Sequence, residues 1–115
     1  MKGGGELANQ ALTEAVYYIL LSLTRPMHGY GIMQNVEQLS NGRVRLAAGT
    51  LYGAINTLLE KGWILALSEE QGSRKKEYLI TERGKDMLRA EMDRLKELIE
   101  NGNQILGGEY EKSSS

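Results

Sequence analysis

Thr50-Leu51-Tyr52-Gly53-Ala54-Ile55-Asn56-Thr57-Leu58-Leu59-Glu60-Lys61-Gly62, continued at once by Trp63-Ile64-Leu65-Ala66-Leu67, is the stretch on which the fold turns. Leu51, Ile55, Leu58 and Leu59 hold the i, i+4, i+7, i+8 spacing of one helix face, and Gly62 supplies a left-handed exit. Thr50, Tyr52, Gly53, Asn56 and Thr57 lie off or beside that stripe, and they are small or polar with one aromatic. The apolar pentad reads as a strand, Glu70-Gln71-Gly72-Ser73-Arg74-Lys75-Lys76 as a hydrophilic turn, and Glu77-Tyr78-Leu79-Ile80 as a second strand. A helix that ends in glycine and runs into a basic-tipped hairpin predicts a winged helix-turn-helix, mainly α with a small β-hairpin wing.

Upstream, Leu12, Val16, Ile19, Leu20 and Leu23 form one apolar stripe. Thr13 is a suitable N-cap with Glu14 in the first turn, and Leu12 is placed to staple against Tyr17. An alternative start near Glu6, carrying Leu7 and Ala11 on the same face, stays open. Pro26 breaks this helix. A second helix is expected from His28-Gly29 through Met33, Val36 and Leu39 to about Ser40, with Asn41-Gly42 as its exit. Arg43-Val44-Arg45-Leu46 alternates charged and apolar residues and is expected to form a short strand beside the wing hairpin.

Downstream, Thr81 is expected to cap a long last helix, in which Leu88, Met92, Leu95 and Ile99 recur at steps of four, three and four. That spacing predicts a coiled-coil seam and thus a dimerisation helix, with Leu12 and Val16 beside it. The seam continues through Gly102 to Leu106, unless Asn101-Gly102-Asn103 ends the helix first. The expected organisation is a flexible or helical arm at 1–11, a winged helix-turn-helix at 12–82, a dimerisation helix at 83–106 and a disordered tail at 107–115.

Composition narrows the function. The 115 residues suit one domain, whose limited core would gain from oligomerisation. Cysteine is absent, which excludes disulfides and thiolate chemistry and fits a reducing cytoplasm. No apolar run approaches the roughly 20 residues that span a bilayer, and no signal peptide is evident, so no membrane partner is expected. Net charge is −1, which weighs mildly against nucleic acid, but the charge is segregated. Residues 43–76 carry six cations against three anions, whereas residues 82–115 carry six cations against eight anions. A local field of that kind matters more for phosphate than the total does.

Arg74, Lys75 and Lys76 at the wing tip are the expected phosphate contacts, and Arg43 and Arg45 are further expected DNA-binding residues. Thr50, Tyr52, Gly53 and Asn56 are the residues expected to meet double-stranded DNA, Asn56 by paired bonds to adenine and Thr50 through phosphate or a thymine methyl. Tyr52 is equally placed to donate to phosphate or to pack against the second helix. His28, the only histidine, has no cysteine or second histidine to share a metal with, so it reads as structural or capping, and neither metal nor cofactor is expected. Enzymatic readings find no support: Gly3-Gly4-Gly5 lacks the strand and helix of a phosphate loop, and the carboxylates read as solvated helix faces.

Four motifs in order, His28-Gly29-Tyr30-Gly31-Ile32, Gly49-Thr50-Leu51-Tyr52, Leu59-Glu60-Lys61-Gly62-Trp63-Ile64 and Arg74-Lys75-Lys76-Glu77-Tyr78-Leu79-Ile80-Thr81, resemble the PadR family of bacterial transcriptional regulators. The resemblance covers roughly residues 12–106 and is closer to the short form with a single C-terminal dimerisation helix. It implies a homodimeric repressor that binds an inverted-repeat operator, with Thr50, Tyr52 and Asn56 on the recognition helix and Arg74, Lys75 and Lys76 on the wing. Two departures stand out: Gly53 replaces a common proline, and Ala47-Ala48 leaves that helix without a side-chain cap. Some short members bind flat drugs between aromatic residues of the dimerisation helices, whereas this chain has no aromatic residue from Leu79 to Glu109.

The leading expectation is therefore a homodimeric, cytoplasmic DNA-binding repressor without catalysis. One alternative is a sensor with a small-molecule effector pocket near Tyr17, Tyr18 and Met92. Another is a winged-helix protein–protein module, which would use the same fold without DNA.

Overall fold

The computed structural model describes residues 11–67 and 76–107. The elements run α1 (Glu14–Ser22), β1 (Met27–His28), α2 (Gly29–Leu39), α3 (Ala48–Lys61), β2 (Ile64–Ala66), β3 (Glu77–Ile80) and α4 (Glu82–Ile105). Residues 12–88 form one compact unit, and α4 from Arg89 onward belongs to a second.

Each helix of the first unit starts and stops where its side chains dictate. Thr13 caps α1 by accepting from the Val16 amide at 3.1 Å. The described helix thus begins at Glu14, and the alternative start near Glu6 lies outside the described residues. His28 caps α2, its Nδ1 accepting from the Gly31 amide at 3.3 Å, in keeping with the capping role expected of it. Asn41 (φ 54°) and Gly42 (φ 83°) turn the chain out of α2. α3 follows Ala47, which offers no side-chain cap, as the alanine pair predicts, and its C-cap is Gly62 in the left-handed conformation.

Ile19, Leu20 and Leu23 of the α1 region meet Ile32, Val36, Leu51, Ile55, Leu58, Ile64, Tyr78, Ile80 and Leu88 in one core. Burying a side chain of this kind contributes roughly 1.5–3 kcal/mol. A polar link crosses that packing. Ser22 is buried, donates to the Tyr18 carbonyl at 2.8 Å and accepts from the Asn35 amide group at 2.9 Å, joining α1 to α2.

The sheet has three antiparallel strands in the order β1-β3-β2. Its third strand is Met27–His28, paired Met27 to Tyr78 and His28 to Glu77. This corrects the expectation that Arg43-Val44-Arg45-Leu46 would pair with the hairpin. Residues 43–46 are irregular: the Ser40 hydroxyl takes the Val44 amide at 2.9 Å, and β1 already occupies the free edge of β3. α1 ends at Ser22 with Leu23 as its C-cap, and after Pro26 the chain runs extended into β1, just where that edge needs a strand.

One expectation about α4 also changes. Leu88 sits in the core at 6% exposure, so it is not part of an exposed seam. Leu12 and Val16, expected beside that seam, are partly buried against the same core. The helix continues through Asn101-Gly102-Asn103 to Ile105 rather than stopping there.

Candidate nucleic-acid interface

The candidate interface is the outward face of α3. Burial of Leu51, Ile55 and Leu58 leaves Thr50, Tyr52, Gly53, Asn56 and Thr57 exposed, a division that follows from the 3.6-residue period. A Cβ added at Gly49 or Gly53 would meet nothing within 4 Å, so both glycines face open space. Nothing inside the described residues requires either glycine, although glycine in a helix interior costs roughly 1 kcal/mol against alanine.

Tyr52 does two things at once. It is 45% exposed, yet its phenol lies against the first residue of α2, with a Cβ built on Gly29 falling 2.7 Å from Tyr52 Cζ. Of the two expectations for Tyr52, the structure shows the packing on the second helix. Tyr30, next along, is exposed and accepts from the Gln34 amide group at 3.3 Å.

The cations expected to meet DNA divide in three. Arg74 and Lys75 lie outside the described residues, whereas Lys76 is exposed immediately before β3. Arg43 is ion-paired with Glu14, whose hydrogen bond first and Coulombic attraction second raise the guanidinium above its ordinary range. Arg45 pairs with Glu37 at 3.4 Å. All four of these side chains are substantially solvent-exposed, so water and salt screen both pairs. A third cation was not singled out by sequence: Lys61, at the end of α3, places its ammonium 5.1 Å from the centroid of Trp63. The Lys61-Gly62-Trp63 order was the available signal, since the glycine turns the chain and brings the ring back under the lysine.

In the second unit, α4 presents Met92, Leu95, Leu98, Ile99 and Ile105 exposed, and Leu106 just after it is exposed as well. Met92, Leu95 and Ile99 keep the predicted seam spacing, and Leu98 and Ile105 widen it by one position per two turns. Glu91 departs from the expectation of solvated carboxylates: it is 6% exposed and held by Arg94 through bonds of 2.9 and 2.6 Å. Tyr17 and Tyr18, expected near an effector, pack edge to face with their centroids 5.9 Å apart. Among the described residues no cluster of acidic or histidine side chains could hold a metal, and no helix is long and apolar enough to cross a membrane.

The model of the transcriptional regulator PadR-like family matches residues 18–90. A 37.1 kDa transposon protein of Streptomyces fradiae is 39% identical over 66 residues, 57% of this chain and 18% of that one. The chain thus spans less than a fifth of that relative's length. A PadR-family regulator from Eggerthella lenta superposes with a TM-score of 0.64 at 22% identity, covering 90% of this chain and 85% of its own. Bacillus subtilis PadR, solved in complex with operator DNA, matches with a TM-score of 0.56 at 22% identity, over 67% of this chain and 45% of its own. At these identities the two structures speak for the fold: mainly helical, with a winged helix and a small antiparallel sheet.

Proposed function

The chain belongs to the PadR-like family of transcriptional regulators, and from that premise we propose that it acts as a homodimer that binds an inverted-repeat operator and represses transcription in the cytoplasm. The observation that carries the DNA reading is the outward face of α3, where Thr50, Tyr52, Gly53 and Asn56 stand exposed over a buried apolar stripe. A helix of 14 residues is about 21 Å long, enough to lie along a major groove. Support for the same fold engaging DNA comes from the operator complex of the Bacillus subtilis protein.

The dimer reading draws on α4. Its exposed Met92, Leu95 and Ile99, with Leu98 beside them, form an apolar stripe of the kind a second copy covers. A two-fold pair would set two copies of α3 about one helical turn apart on DNA, roughly 34 Å. Neither cofactor nor metal enters this scheme, and the family is one of regulators rather than enzymes. An effector site remains a subsidiary reading whose support is the Tyr17–Tyr18 pair alone.

The deciding experiment is selection of duplexes from a random pool, followed by measured affinity for the selected sequence and for unrelated DNA. Enrichment of an inverted repeat is expected. Asn56→Ala should then lower the preference for that repeat by roughly 1–3 kcal/mol. No enrichment, with equal affinity for all duplexes, would leave the winged-helix protein–protein reading in its place.

A further inference from the structure

Thr81, between β3 and α4, is bonded to both neighbouring helices. Its hydroxyl accepts from the Gly84 amide at 3.1 Å, which caps α4, and donates to the Gly62 carbonyl at 2.7 Å. Its backbone amide donates to the Trp63 carbonyl at 2.9 Å. An N-cap needs only the first of these bonds. The other two reach back to the residue that ends α3 and to the one after it.

Gly84 closes the same junction from the other side. A Cβ there would overlap the Trp63 carbonyl oxygen and stand 3.1 Å from its carbon and 2.7 Å from Ile80 Cγ1. Gly84 has no positive φ, so its lack of a side chain answers to this close approach rather than to backbone conformation. The nearest obstacle is backbone, which cannot swing aside as a side chain can. Gly62, left-handed at φ 76°, completes the junction by ending α3 and offering its carbonyl to Thr81.

We propose that Thr81 and Gly84 are positioning residues for operator reading: they clasp the C-terminal end of α3 to the first turn of α4 and so set the direction in which α3 is presented. The inference rests on the dimeric DNA-binding reading above. α4 is one continuous helix from Glu82 to Ile105, and its first turn is the one that Thr81 and Gly84 hold against the end of α3. In a two-fold dimer built on α4, the seating of α3 on that turn sets the spacing between the two half-sites.

The test compares wild type, Thr81→Ser, Thr81→Val and Gly84→Ala by selection from the random duplex pool, with sedimentation and thermal melting on each. Thr81→Ser keeps both hydroxyl bonds and should select the wild-type spacing. Thr81→Val and Gly84→Ala should stay dimeric yet select altered or broadened half-site spacings. Their preference for the wild-type sequence over unrelated DNA should fall roughly tenfold, with affinity for unrelated DNA unchanged. Folded variants with wild-type spacing and preference would reduce Thr81 to a simple cap and overturn the proposal. Failure of Thr81→Val to fold would overturn it too, by making the junction part of the fold rather than of reading. A wild-type protein that selects no recurrent spacing would instead defeat the DNA reading on which the proposal stands.

Discussion

The phenol of Tyr52 in α3 occupies the space in which a side chain on Gly29 of α2 would begin. The two helices of the helix-turn-helix are thereby in contact at a point where one has no side chain and the other an aromatic ring. The near atoms belong to the tip of Tyr52, which is half exposed and can move. Gly29→Ala should therefore expel the ring rather than unfold the domain, at a cost of about 1 kcal/mol. Because both changes break one contact, Gly29→Ala and Tyr52→Ala should be strongly non-additive in chemical denaturation. Additive losses would mean that the ring does not rest on residue 29.

Gly53 separates fold stability from DNA affinity. Its Cβ position is open and its conformation helical, so Gly53→Ala should raise stability by roughly 0.5–1 kcal/mol. If the α3 backbone approaches a duplex closely there, the same change should weaken binding to the selected operator. A variant with a higher melting temperature and equal or tighter operator binding would rule out that close approach.

Ser22 anchors the polar link between α1 and α2. Ser22→Ala removes the acceptor of the Asn35 side-chain amide in a part-buried setting, and a loss of about 1–3 kcal/mol is expected. Ser22→Ala combined with Asn35→Leu should recover part of it, since the unmatched polar group is then gone. Equal stability of wild type and Ser22→Ala by urea titration would contradict the assignment.

The basic turn is tested by salt. Changing Arg74, Lys75 and Lys76 together to alanine should weaken binding to selected and unrelated DNA alike. If each cation neutralises one phosphate, the slope of log affinity against log salt flattens by up to about 2.7. A folded triple variant with an unchanged slope would remove these residues from the interface.

The dimer is tested at Leu95, in the middle of the exposed stripe of α4. Leu95→Glu would place an unpaired charge against a second copy, an expensive burial, while costing little on an unpaired helix. Loss of the dimer and of operator binding is expected. An intact dimer by sedimentation would put the interface elsewhere.

Features that depend on near neighbours in the chain were legible in the sequence alone. Thr13 and Thr81 cap, Gly62 ends α3, and the spacing of Leu51, Ile55 and Leu58 assigns the inner face, because capping and helical period act over three or four residues. Only the tertiary structure could choose among partners distant in sequence. Residues 43–46 alternated as an edge strand should, yet the free side of β3 is taken by Met27–His28, where the sequence showed only the entry to α2, while Ser40 holds Val44. A heptad places Leu88 and Met92 on one stripe, yet Leu88 enters the core of residues 12–88 and Met92 faces outward. Periodicity states which residues share a face but not what that face meets. The same holds for Arg43 with Glu14 and for Tyr52 with Gly29, whose separations of 29 and 23 residues leave no local pattern to read.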